Sequence, residues 1–360
     1  MRRFLYVGAL LLFALLISHA KTSRDREGVK ESILSGRAEP AFSSQGSTRF
    51  QEFQAYFQLR REVALFSVSG VRFGRIRDLK VNARGHFLIT DDVVPVVCEI
   101  DEEGRLVQKI GNVGRGPGEY LSPRAIDLDK DGNIFILDSK QSRILIFDPN
   151  GVFVRSLNLG RPASDFLVQQ SGGIVIFHPM TPKTLLFLSP SGNLIKQAAE
   201  NALRYAVAGG KITQDAKGNI LEMRPTSFEI RIFSAEGRYL YSIGEKPKGF
   251  QTLSKPPTAY ESLDDLERAW TPMTGIYFLA ESDLVISQMR VSNPPSSPTF
   301  FITLYESSGK VFASNIALPS YIIGTNNRDT IFILKEARQQ NLREREGFVL
   351  CEYSFTATAR

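Results

Sequence analysis

Four glycines, Gly111, Gly114, Gly116 and Gly118, stand just before a run of acids, Asp127, Asp129, Asp131 and Asp138, with Gly132 among them. The glycines suggest a loop that cradles phosphate. The acids fall where a calcium-binding loop places its ligands, with the glycine at the sharp turn. A phosphate loop works by opening a helix, so that backbone N–H groups and the helix dipole meet the anion. Here the glycines follow an apolar run, Leu106 to Ile110, and lead through Pro117 and Pro123 into another strand-like run. No Lys-Ser/Thr pair ends the loop. They read as a connection between strands, in which Arg115 and Glu119 pair and Tyr120 packs beneath. The acids also lie on strand-like flanks, Ile134 to Leu137 being a β run, and sibling turns such as "NARG" and "DAKG" lack the full set. A hairpin turn explains every copy. A cation on Asp127, Asp129 and Asp131 explains one, and it is the single metal candidate; no cofactor is expected.

Acid–base chemistry has few carriers. His19 is expected to leave with an N-terminal export signal, so His86 and His178 remain. His86 follows a turn glycine and reads as a surface residue. His178 is the one histidine placed for proton transfer, with Asp138 one repeat away as an orienting carboxylate. Neither G-x-S-x-G nor H-E-x-x-H occurs.

These residues are positioned by a repeat. Segments starting at Ile76, Arg124, Ser164 and Val207 each hold two apolar runs joined by a Gly turn, a polar gap, a third run, a second Gly turn and a fourth run. Gly85, Gly132, Gly172 and Gly218 mark the first turn; Gly104, Gly151, Gly192 and Gly237 mark the second. Two degenerate copies follow, and the last lacks a fourth run. The segment Arg61 to Val68, "REVALFSV", supplies one from upstream. The runs are short, β-branched and aromatic, as strands prefer, and the period suits propeller blades. The expected fold is all-β: a six-bladed β-propeller of four-stranded antiparallel blades over residues 61–356, closed by an N-terminal strand that completes the last blade.

The stretch from Ile110 to Gly151, "IGNVGRGPGEYLSPRAIDLDKDGNIFILD" and onward to "IFDPNG", resembles the six-bladed propellers of NHL-repeat or TolB-like type from bacterial envelopes. The likeness covers about Arg61 to Thr356. It implies the fold and leaves function open, since such scaffolds host binding proteins, lyases and hydrolases. The three-His zinc site of some propeller lyases cannot be assembled from the histidines here.

In such a ring the first and second Gly turns share one face. Every long connection falls on the other: Gly111 to Pro123, Glu245 to Thr274, Met289 to Thr299, and Glu336 to Glu346. Long loops on a rigid scaffold are where binding usually lives. The longest contains a capped helix, Ser262 to Trp270, whose lone tryptophan either meets a ligand or anchors the helix. Each second strand ends on a polar residue: Asp91, Asp138, His178, Arg224, Gln288 and Lys335. Symmetry expects these to ring the long-loop mouth, acidic on one side and basic on the other, which suits a mixed-charge ligand. The expectation is a binding protein for a protein, peptide or glycan; the alternative is a lyase or hydrolase at the channel mouth.

The chain opens with Arg2, Arg3, an apolar stretch from Leu5 to Ile17, and Ser18-His19-Ala20. That is the form of an export signal ending near residue 20, and residues 21–60 read as a polar extension. The mature protein is expected to be periplasmic or extracellular, monomeric, and without a membrane anchor. A formal net charge of +6 is spread along the chain, not gathered into the basic stripe of a nucleic-acid binder. Cys98 and Cys351 occupy equivalent strand positions, point the same way round the ring, and are expected to stay unbridged.

Overall fold

The apolar runs are of two kinds, and each takes its own place in a sheet. Ile134–Asp138 and Arg143–Phe147 are buried almost throughout, whereas Leu106–Lys109 and Tyr239–Ile243 alternate between solvent and interior. A strand covered on both faces must be continuously apolar; one covered on a single face need only alternate. The computed structural model describes residues 52–65, 70–178, 181–200, 209–292, 296–326, 328–338 and 346–356, and sorts the strands into six four-stranded antiparallel sheets. The chain is a six-bladed β-propeller.

Strands a to d run from the axis outward in each blade. Blade 1 is Ile76–Val81, Phe87–Asp91, Val96–Ile100 and Leu106–Lys109. Blade 2 is Pro123–Leu128, Ile134–Asp138, Arg143–Phe147 and Phe153–Asn158. Blade 3 is Asp165–Val168, Ile174–Phe177, Lys183–Leu188 and Leu194–Glu200. Blade 4 is Lys211–Gln214, Ile220–Met223, Ile230–Phe233 and Tyr239–Ile243. Blade 5 is Met273–Leu279, Leu284–Val291, Thr299–Glu306 and Val311–Leu318. Blade 6 takes Tyr321–Thr325, Thr330–Arg338 and Glu346–Phe355 as a to c.

Its fourth strand comes from the start of the propeller. Phe57–Leu65 pairs antiparallel with Glu346–Phe355, in a register from Phe57 opposite Phe355 to Leu65 opposite Phe348. The closing strand thus begins at Phe57, upstream of the expected Arg61. A helical turn over 52–56 leads into it. Phe53 stacks on Phe57 at 5.0 Å and meets the edge of Tyr353 at 5.1 Å, while Phe57 meets Phe355 at 5.5 Å. These rings seal the seam, and Arg61 adds ion pairs to Glu352 and Glu102.

Among the described residues, the large hydrophobic clusters lie between neighbouring blades rather than inside one sheet. Cys98 belongs to the cluster between blades 6 and 1, and Cys351 to that between blades 5 and 6. Both are buried and unbridged, and burial pushes their thiols up to about 12 and about 11. The two faces are distinct as well: the a–b turn glycines Gly132 and Gly172 abut Pro149 and Pro190 of the c–d turns.

The seam yields a test. Phe57→Ala removes a ring that is 1% exposed, and should lower the unfolding free energy by about 3–5 kcal/mol. Equilibrium urea unfolding measures the loss; a change under about 1 kcal/mol would mean that the closing strand contributes little.

Candidate functional site

The polar residues that end the b strands lie at the long-loop end, but they do not form a mouth. Asp91 and Asp138 are fully buried, and His178, Arg224 and Gln288 nearly so. Asp91 accepts N–H bonds from Gly74 and Arg75, ahead of strand a, and from Val93 and Val94 in the b–c turn. Asp138 does the same for Leu121 and Ser122, and for Gln141 through its N–H and amide. Gln288 accepts from Ile322 N–H of blade 6 at 2.7 Å. Lys335 pairs with Glu62 of the closing strand at 3.3 Å. These side chains hold the connections to the blades. The strand ends are expected to line an open mouth; Asp91, Asp138 and Gln288 meet backbone instead, because the loops folding over them carry N–H groups that no strand pairs.

The glycine loop is a connection between blades 1 and 2, as expected. Its Asn112–Val113 and Glu119–Tyr120 form a small parallel pair. Tyr120 is buried beneath; its hydroxyl accepts from Val97 N–H and donates to Ile110 O. Arg115 and Glu119 do not pair. Glu119 caps Gly116 N–H at 2.7 Å, and the carbonyls of Gly116 and Glu119 accept from Arg143. Gly111 must be glycine, since a Cβ there would lie 2.6 Å from Gly118 O.

The acidic run separates. Asp129 accepts from Asp131 N–H and Asn133 N–H, closing a turn in which Gly132 has φ 82°. Asp215 makes the same turn in blade 4. Asp131 points out and pairs with Lys130, while Asp127 turns into the channel. Among the described residues no group of three or more metal-type ligands converges.

The channel holds a cavity of about 340 Å³, lined by strand a of all six blades and opening among the a–b turns. Its wall is charged. Asp78 accepts from Ile126 N–H of blade 2 at 3.1 Å, Asp127 from Val168 N–H of blade 3 at 2.7 Å, and Asp165 from Ile212 N–H of blade 4 at 2.9 Å. Lys80 pairs with Asp127 at 3.1 Å, and Lys211 lies 3.6 Å from Asp165 and 3.9 Å from Asp78. Burial works against the Lys80 ammonium, but Asp127 and Asp78 outweigh it and raise its pKa. Burial raises Asp165, against the pull of Lys211. Sequence reading missed this set, although the signal existed: aligned on the turn glycines, Asp78 and Asp165 share one position, and Lys80 and Asp127 the next polar one.

At the long-loop end of the channel, Arg75 and Arg77 share Asp92. Burial would raise the Asp92 carboxyl, but Arg77 and Arg75 more than offset it and hold it low. Arg124, in the blade 2 position that Arg77 holds in blade 1, donates Nε to Ser164 O at 3.1 Å. Burial, then the nearby Arg77, bring its pKa down to about 10.

The insertion after blade 4 folds as a unit. Ser262 caps the helix Leu263–Ala269, accepting from Asp265 N–H. Leu253, Leu266, Tyr260 and Trp270 form its own small core, so the tryptophan serves as an anchor. Its ends meet, Thr271 N–H donating to Gln251 O at 3.1 Å. It rests on the b–c loop of blade 4 through Thr252 to Thr226 O and on strand b of blade 5 through Glu267 to Arg290. His178 donates from Nδ1 to Pro162 O at 2.7 Å, and its Nε2 has no partner among the described residues. Asp138 is not its orienting group, since its bonds go to Leu121, Ser122 and Gln141. His86, expected at the surface, is half-buried against Glu99 at 2.7 Å.

A family described as 6-bladed beta-propeller matches residues 48–190. Among solved structures, a Bacteroides fragilis protein described as a candidate exported protein superposes with TM-score 0.65 at 14% identity, over 83% of this chain and 95% of that one. A gluconolactonase of Xanthomonas campestris gives 0.52 at 14%, over 85% and 93%. A streptogramin B lyase gives 0.51 at 12%, over 84% and 98%. At these identities they share the fold alone. Protein brain tumor of Drosophila melanogaster is 22% identical over 166 residues, 44% of this chain but 16% of that protein. The chain thus spans about a sixth of the curated relative it matches.

Two measurements probe these contacts. Asp138→Ala leaves buried N–H groups without an acceptor and should cost about 2–4 kcal/mol in urea unfolding. The Asp92 carboxyl is held below its ordinary value, so its stabilising effect is present above that value and is lost as pH falls through the lower, folded one. The stability gap between the native chain and Asp92→Asn should therefore narrow as the medium is acidified from about pH 7 to about pH 3; a constant gap would refute the assignment.

Proposed function

We propose that this chain is an exported propeller that binds a protein, peptide or glycan on its long-loop face without chemical turnover. The observation that carries this reading is the folded insertion of that face. A segment with its own capped helix and core, set across blades 4 and 5, presents a formed surface on a rigid scaffold. Asp91, Asp138 and Gln288 add support, because these strand-end groups are engaged in holding backbone. Export rests on the N-terminal segment, which lies outside the described residues; among those described, no helix is long and apolar enough to cross a membrane. The kinship with NHL-repeat or TolB-like propellers is part of this reading and rests on the motif from Ile110 to Gly151.

One observation favours the lyase or hydrolase alternative. The unpartnered Nε2 of His178 sits on an imidazole whose pKa burial lowers, so that the ring is neutral near pH 7 and can accept a hydrogen bond there. Its near-complete burial argues against contact with a substrate.

Because Gln251 and Thr271 are already hydrogen-bonded, the residues between them can be replaced by a short Gly-Ser link. Peptide and glycan arrays probed with the mature chain should give binding that this variant loses and that His178→Ala keeps. Equal binding by the shortened chain would remove the long-loop face from consideration. Hydrolysis or elimination across an ester and glycoside panel, abolished by His178→Ala, would establish the enzyme instead.

A further inference from the structure

Arg77 and Arg124 occupy the same position in strands a of blades 1 and 2, counted from the turn glycines Gly85 and Gly132. Each spends its Nε on the protein, Arg77 on Asp92 at 2.7 Å and Arg124 on Ser164 O at 3.1 Å. The terminal nitrogens of both have no protein partner among the described residues. In blade 3 the equivalent position is Ser164, whose carbonyl serves Arg124, so the pair stands alone on its side of the ring.

The local charge is unbalanced. Arg75, Arg77 and Arg124 face one shared carboxylate, Asp92, which is 5% exposed and accepts from both Arg75 and Arg77. The nearby Asp91 is spent on backbone N–H groups, and Asp165 is tied to Ile212 N–H and Lys211. Arg75 and Arg77 keep 27% and 32% of their side-chain surface in solvent. Guanidinium groups with fixed Nε and open terminal nitrogens present planar paired donors, the geometry that takes a carboxylate, sulfate or phosphate. Low-dielectric walls strengthen the attraction and reduce its screening.

We infer that the long-loop end of the channel is an oxyanion site in which Arg77 and Arg124 bind a carboxylate, sulfate or phosphate group of the ligand. This rests on the binding function proposed above and specifies it: the ligand carries an anionic group that enters the channel between blades 1 and 2. Asp92 orients Arg77, and Ser164 orients Arg124.

The test uses the mature chain and three probes: sodium sulfate, inorganic phosphate and sodium glucuronate, titrated calorimetrically at constant ionic strength. At least one should bind saturably at one site per chain, and the preferred probe identifies the group. Arg124→Gln, whose amide can keep the bond to Ser164 O, should weaken it at least tenfold. Asp92→Asn removes the competing negative charge, while its amide oxygen can still accept from Arg77 Nε, and should tighten binding severalfold, a gain that misfolding cannot mimic. Arg115→Gln, in an exposed loop arginine, should leave it unchanged. Absence of saturable binding, or equal affinity in the native chain and Arg124→Gln, overturns the inference. Array binding that survives Arg124→Gln unaltered would remove the anion site and leave the binding function standing. Anion binding lost in Arg124→Gln, with blank arrays, would do the reverse.

Discussion

The innermost strands of a propeller stand side by side around the axis, too far splayed to pair with one another, so each presents a row of unpaired backbone groups to the channel. Here carboxylates meet that demand. Asp78, Asp127 and Asp165 each reach from one blade to the N–H of a residue one step further along the next blade, the same relation repeated around half the ring. On the other side Tyr277 donates to Ile322 O and Gln288 accepts from Ile322 N–H. Buried carboxylates need counter-charges, and Lys80 and Lys211 supply them. The polarity of the channel is therefore structural before it is functional.

The same demand explains the strand ends. Loops that return across the top of a blade carry N–H groups with no strand to receive them. Asp91 and Asp138 collect these for blades 1 and 2, at equivalent positions and with equivalent partners. A side chain committed to backbone in this way is poorly placed to do chemistry, because freeing it would expose several orphan donors at once. Recognition then falls to groups that the scaffold leaves over: the open nitrogens of Arg77 and Arg124, and the surface of the insertion.

Blade number, closure and the separation of the two faces were legible because their signals are local or periodic. A glycine after Asp131, a buried run at Ile134 to Leu137 and an alternating run at Tyr239 to Ile243 each report on their own neighbourhood. The cap at Ser262 and the packing of Tyr120 were legible for the same reason. The destinations of polar side chains were not. Asp127 looked like part of a turn motif, yet it serves blade 3, forty-one positions along the chain. Asp91 reads as part of an open rim, yet it serves the segment ahead of strand a and the b–c turn. Arg115 and Glu119 are close in sequence, but the turn between them directs Glu119 to Gly116 N–H. Which N–H will lie unpaired beside a carboxylate is decided only when distant loops have folded over it.

Arg61 and Glu352, joined across the seam, lie 291 positions apart. A growing chain makes the latch strand first and its partner last. Until the final sheet exists, Phe53 and Phe57 have no aromatic wall to meet, and the latch strand has no neighbour to pair with. The ring cannot close on an incomplete product, so a truncated chain keeps an open seam with exposed phenylalanines. Circularisation thus doubles as a check on full-length synthesis, since loops of this span are slow and entropically costly to join.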